Sequence, residues 1–318
     1  MMKKISKIAL SVSIGASCYL TGTYIEKHRI ISELKNVYPD IENYQRYRKY
    51  PIFPQVYAAT AIAPYNQSAN SVVSLGERTR QIMKYGYPSM DPETVKSQED
   101  YVLCYDRRNR VAHWVLEHLT KESIQHNDEV DRSKCNFTVD ERIHPYFRSE
   151  NSDYKKSSYD RGHLAAAGNH RKSQKHCEET FLLSNMAPQV GKGFNRDSWN
   201  RLEKYVRKLT KVYPNVYVCT GPLYLPKREA DGKSYVKYEV IGANNVAVPT
   251  HFFKVVVGET NNGVLEMEAY VMPNEPIPDT TPLTMFQVPP ESIERAAGLL
   301  LFNKVTKDKF LKINGKQR

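Results

Sequence analysis

The chain has 318 residues, enough to bury one substantial core with an N-terminal appendage, and its 46 lysines and arginines against 35 acidic residues leave a formal charge of +11. Such a balance favours a polyanionic partner, either nucleic acid or an anionic membrane surface. The five cysteines (Cys18, Cys104, Cys135, Cys177 and Cys219) contain no CxxC pair and are odd in number, which argues against a zinc ribbon and a closed disulfide framework and for free, mostly buried thiols.

Residues 1–25 carry Lys3, Lys4 and Lys7, no acid, and the apolar run "IALSVSIGASCYL". This segment reads as a targeting or anchor segment. The run falls short of a membrane span of about 20 residues. A secretory signal and a retained mitochondrial presequence both fit, as does, more plainly, an amphipathic helix packed on the domain. Residues 26–75, rich in Tyr, Pro, Asn and Gln without a period, read as a linker or extended arm. A folded domain is expected over 76–310, with 311–318 as a tail. It begins with a short helix in "GERTRQIMKYGYP", ended by Gly86 and Pro88. "DYVLCY" and "VAHWVLEHL", rich in β-branched and aromatic residues, flank the polar "DRRNR" as a β-hairpin. Trp199, Leu202, Val206 and Leu209 recur at helical intervals, predicting a helix over 195–211 stopped by Pro214. "NVYVCTG", "SYVKYEVIG", "VAVPTHFFKVVVG" and "VLEMEAYVMPN" read as strands, and "SIERAAGLLLF" as a closing helix capped by Ser292. The fold class expected is α+β: a mostly antiparallel central sheet flanked by helices.

The chemistry concentrates in "SYDRGHLAAAGNHR". His163 has an imidazole suited to accept a proton near neutral pH. In an extended segment Arg161 points to the same side as His163, while Asp160 points to the other and ties down a turn at Gly162. A permanent cation beside a base suits a phosphodiester, since the guanidinium holds a phosphate oxygen while the base activates water. A surface ion pair beside a packed histidine is the bland alternative. Zinc ligation by His163, His170, His176 and Cys177 is another, although no closed zinc spacing is present.

Asn195 opens the predicted helix, with Glu203 and Arg207 further along a shared broad face. An amide oxygen there suits Mg²⁺, which keeps waters and substrate phosphate, and Glu203 can hold one such water. Taken singly, Asn195 also fits a helix cap, and Glu203 with Arg207 an ordinary i,i+4 pair. "GKG", 191–193, lacks the phosphate-loop spacing but leaves backbone N–H groups near a helix start. Six basic residues against two acidic ones along 195–211 form a solvated face able to track a polynucleotide.

"DRGHLAAAGNHR", "LSNMAPQVGKGFNRDSWNRLE", "VYVCTGPLYLP" and "NNVAVPTHFFKV" together resemble the DNA/RNA non-specific endonucleases, in particular their mitochondrial branch. The resemblance covers 76–302, with the motifs in the family's order. It implies an antiparallel sheet carrying a ββα-metal finger, and Mg²⁺-dependent (or Mn²⁺-dependent) endonucleolytic hydrolysis of DNA and RNA to 5′-phosphate products. By motif it implies His163 as general base, Asn195 as direct metal ligand and Arg161 as a phosphate contact. Glu203 matches the glutamate behind the metal, Arg207 the arginine at the scissile group, Asn185 an asparagine near the site, and Arg132 an arginine that stabilises the transition state. It further implies a homodimer in the mitochondrial intermembrane space, associated with the inner membrane through its N-terminus and acting in apoptotic DNA degradation or mitochondrial DNA turnover. Three rivals stand: a sister mitochondrial nuclease acting from 5′ ends, a binding-only basic protein, and a secreted nuclease.

Overall fold

The computed structural model describes residues 76–88 and 94–317. The predicted targeting segment and arm lie outside these residues, as does Cys18. The chain divides into two units. Of the first, 1–70 with 226–237, the described part is a hairpin of β7 (Lys227–Arg228) and β8 (Ser234–Tyr235). The second unit, 71–225 with 238–318, contains everything that follows.

Helix α1 (Glu77–Ile82) leads into β1 (Val95–Ser97), β2 (Tyr101–Asp106) and β3 (Val111–Leu119). One turn of helix, α2 (Asn151–Tyr154), precedes β4 (Tyr159–His163); α3 (Gln174–Glu179) precedes β5 (Met186–Val190). A kinked segment, Gly191–Trp199, non-helical at Lys192 and Gly193 and wide-helical beyond them, continues into α4 (Asn200–Leu209). Then come β6 (Asn215–Leu223), β9 (Val240–Ile241), β10 (Val246–Ala247), β11 (His251–Glu259), β12 (Leu265–Pro273), α5 (Pro290–Ala297), β13 (Phe310–Ile313) and β14 (Lys316–Gln317).

The central sheet runs β1-β2-β3-β6-β11-β12-β13-β14, antiparallel except for the β12/β13 pair. Its central strands are buried almost throughout because both faces are covered. Odd and even residues of one strand enter different cores: on β6, Val216 and Val218 face the finger side, while Tyr217 and Cys219 face the back with α1 and α5. Cys104, Cys135, Cys177 and Cys219 are buried thiols.

The α+β expectation holds, and local readings change in four places. Of the expected tail 311–318, residues 311–317 continue the fold: β13, starting at the buried Phe310, and β14 extend the sheet, strands too short to show alternation in sequence. The "SYVKYEVIG" run is mostly exposed and splits between the β7/β8 and β9/β10 pairings. Helix α5 starts at Pro290, whose ring presets the first turn, so Ser292 lies inside it and caps nothing. The helix over 195–211 is not uniform; it opens with the wide segment, entered through Gly193 at φ 86°.

Candidate active site

Strands β4 and β5 pair antiparallel, with His163 opposite Met186 and Asp160 opposite Gln189, and the wide segment with α4 follows directly. This ββα unit packs on the sheet through Phe194, Trp199, Leu202 and Val206, all buried. Gly162 lies mid-strand rather than in a turn. A Cβ there would stand 2.1 Å from Gln189 Oε1, so close packing of β5 requires glycine.

A cleft of about 1150 Å³ opens on the finger, lined among others by Arg132, Arg161, His163, Asn195, Glu203 and Arg207. The His163 ring stands edge-on to Phe181 (centroids 4.7 Å apart, 82°) and tilts against Phe137 (5.9 Å). Its Nε2 is buried and, among the described residues, meets no hydrogen-bond partner. Burial, reinforced by the charges of Arg132 and His170, pushes the imidazole down to about 3, so at neutral pH the ring is an uncharged acceptor. Arg161 lies over the same Phe137, 4.4 Å from the ring centre, and donates to Asn151 Oδ1 at 2.8 Å. Phe137 thus seats base and cation side by side, as the alternation on β4 predicts. Arg132, on a short turn capped by Asp131, stacks over Phe181 at 5.8 Å.

Asp160 does not serve its own turn. Its carboxylate accepts from Asn195 Nδ2 (2.9 Å) and from Arg196 Nε and Nη2 (2.8 and 2.6 Å). Burial would raise its pKa, but these hydrogen bonds and the charges of Arg196 and Arg161 outweigh burial and hold it below the usual carboxylate range. An ionised carboxylate can face only the NH₂ end of an amide, so Asn195 Oδ1 is left as the free acceptor. Glu203 lines the same cleft. Burial raises its pKa against the opposing charges of Lys254 and Arg207. Lys254, buried on β11, donates to Thr220 Oγ1 at 2.6 Å and stands 4.8 Å from the Trp199 ring.

Asn185 is not brought into the cleft. It is fully buried, its Nδ2 donates to the carbonyls of Ala165 (3.0 Å) and Thr180 (2.8 Å), and its Oδ1 accepts from Ala165 N (2.9 Å). Its contact splints the chain just after His163. The "GKG" amides are not a free anion nest either, since Gly193 N donates to Asp197 Oδ2 at 2.6 Å. Of the basic residues on 195–211, Arg196 is spent on Asp160 and Arg201 on the carbonyls of Asp279 and Thr281. Lys204 and Arg207 face the cleft, joined by Lys155 and Arg171 from other segments. The zinc alternative dissolves: His170 lies between Asp100 and Glu117, His176 against Glu99, and Cys177 against Cys135.

Sequence reasoning missed Phe137, Phe181, Asn151 and Lys254. Lys254 stands inside one of the quoted motifs without any local sign of its role, the others lie outside them, and only the folded chain brings all four to the finger.

The sequence model of the DNA/RNA non-specific endonuclease family matches residues 78–308. The chain belongs to that family. It is 50% identical over 280 residues to the mitochondrial endonuclease G of Caenorhabditis elegans, covering 84% of this chain and 90% of that one. With the human mitochondrial endonuclease G it shares 57% identity over 220 residues, 69% of this chain and 72% of the other. A solved structure of an EndoG/EndoGI complex, described as showing the mechanism of EndoG inhibition, matches with TM-score 0.75 and 67% identity, covering 76% of this chain and 98% of that one. This endonuclease is therefore a hydrolase with the ββα-metal fold, in a family of metal-dependent nucleases. Its site fits a hard cation: among the described residues no group of three His, Cys, Asp or Glu side chains is arranged to hold a metal ion, and Asn195 Oδ1 is the open oxygen. An ion held by one amide must complete its shell with waters and phosphate oxygens, which suits Mg²⁺.

Proposed function

We propose that this endonuclease cuts DNA and RNA internally at phosphodiester bonds, leaving 5′ phosphates, with Mg²⁺ (or Mn²⁺) held at Asn195. The observation that carries the reading is the Asp160–Asn195 hydrogen bond, which leaves Asn195 Oδ1 as the acceptor in a cleft that His163 also lines. Bound there, with Glu203 behind one of its waters, the cation would supply neutralisation of the charge developing at phosphorus and on the departing 3′ oxygen.

The protein's own groups account for the rest. Arg161 and Arg207 hold phosphate oxygens, and Arg132 approaches from the Phe181 side. Nε2 of His163 takes the proton of the attacking water. Burial leaves the free ring a weak base, and the arriving anion strengthens it, because a negative phosphodiester favours the imidazolium. Contacts made to phosphate do not read bases, so sequence preference is loose.

We place the protein in the mitochondrial intermembrane space as a homodimer, with 1–25 as its import and inner-membrane segment. The mitochondrial names of its relatives and the basic, acid-free N-terminus support the mitochondrial address. Its role is DNA degradation in apoptosis or turnover of mitochondrial DNA. The test is nicking of a closed circular plasmid with Mg²⁺ and with EDTA. Wild type converts it to the nicked form only with metal, and Asn195→Ala loses cleavage together with its metal response. Cleavage confined to linear substrates would instead assign the 5′-end-directed activity, and metal-independent nicking would overturn the reading.

A further inference from the structure

Arg207 enters the cleft already held. Its Nη1 donates to Asn169 Oδ1 at 3.0 Å, and among the described residues no other acceptor bonds the guanidinium, leaving four N–H groups for substrate. Asn169 cannot turn over: its Nδ2 donates to Glu117 Oε1 at 2.8 Å, and a carboxylate admits only the NH₂ end. The same Glu117 oxygen meets His170 Nε2 at 2.9 Å. His170 Nδ1 meets Asp100 Oδ2 at 3.1 Å, and Asp100 Oδ1 accepts from Arg78 Nε at 2.6 Å. Asn169, His170 and Glu117 are 3%, 0% and 0% exposed, so no water competes for these bonds. The backbone closes the seat from another side, since a Cβ on Gly168 would stand 2.9 Å from Arg207 Nη1 and 3.1 Å from its Cζ.

We propose that the turn Ala167–Asn169, braced from beneath by Glu117 and His170, is the positioning element of Arg207 and fixes where its guanidinium meets the scissile phosphate. The proposal rests on the nuclease reading above. Asn169 and Gly168 touch no substrate in it; they act through the arginine.

The experiment is a pair of double-mutant cycles on the full chain, reading kcat and KM on plasmid DNA together with the melting curve. Asn169→Ala removes a hydrogen bond to a charged group and lowers kcat about tenfold to a hundredfold, with KM nearly unchanged. Gly168→Ala leaves the fold intact, because the clash is with the movable end of a side chain, but displaces the guanidinium and lowers kcat about tenfold. In an Arg207→Ala background each of these changes kcat by less than about twofold, since the group they act through is gone. If both losses instead multiply with that of Arg207→Ala, or if Gly168→Ala and Asn169→Ala turn over like wild type, the proposal is overturned. Should Asn169→Ala fail to fold, the Gly168→Ala cycle decides alone. Wild-type turnover in Arg207→Ala by itself would sink the role given to Arg207, and this proposal with it. Plasmid left intact by wild type would sink the nuclease reading before any variant is read.

Discussion

The two faces of the central sheet are made by the same strands and bury opposite chemistry. Behind it, Trp114, Leu116, Cys219, Phe253, Val255 and Met267 pack against α1 and α5, an apolar layer with His118 at its margin. In front, neighbouring positions on those strands carry Glu117, Thr220 and Lys254, all buried, beneath the finger that holds His163 and Asn195. Burying charge is costly unless it is paired, so a front face of this kind is retained for what it positions, whereas the back face supplies stability. The two histidines on the front show the same division. His163 has a nitrogen unpartnered among the described residues and is held neutral by burial, then by the charges of Arg132 and His170; in His170 burial is overcome by Asp100 and Glu117, and the imidazole is pushed up to about 9.

The comparison breaks if front and back substitutions have the same signature. Replacing His163 by Ala should lower kcat by about 10²- to 10⁴-fold. Gel-shift affinity for nucleic acid and the melting temperature should stay near wild type. Phe253→Ala, on the back, should cost about 3–5 kcal/mol in denaturant unfolding while kcat per folded molecule is unchanged.

A pH series sharpens the contrast between the two histidines. The folded pKa of His170 lies above its unfolded value near 6.5, so its contribution is complete below pH 6.5 and is lost as pH rises through about 9. Up to about 3 kcal/mol of stability should disappear over that window, and His170→Gln should flatten the alkaline side of the stability curve. His163, with its folded value depressed, acts in the opposite direction: its contribution is lost as pH falls from 6.5 toward 3, alongside that of carboxylates such as Asp100 and Asp140. Smaller still is Asp160→Asn, which frees the Asn195 amide to turn. It should weaken apparent Mg²⁺ affinity by about tenfold to a hundredfold in metal titrations of the nicking rate, with little change in melting temperature.

Much of the front face could be read in the sequence because the candidate residues that line its cleft sit in compact motifs. His163 and Arg161 share one extended tetrapeptide, and Asn195, Glu203 and Arg207 share one helical stretch, so local period alone places them together. The central strands were legible as β-branched and aromatic runs between turns. What escaped depends on separation along the chain. Phe137 and Phe181 carry no signature until they meet under the His163 ring. Asp160 reads locally as a partner for its own turn, yet it serves Asn195, 35 residues away. Asn185 stands in a recognisable motif near the site, and only its hydrogen bonds reveal that it holds backbone. Strand β13 contributes too few residues for alternation to register, although Lys312 on it pairs with Glu266 of β12 at 2.8 Å.

Anomalous scattering from crystals soaked in Mn²⁺ tests the central claim most directly. A single strong peak at the side-chain oxygen of Asn195, with no carboxylate directly bound and His163 across the same cleft, is the result expected. A peak on a cluster of acidic side chains, or none in the cleft at saturating Mn²⁺, would contradict the account.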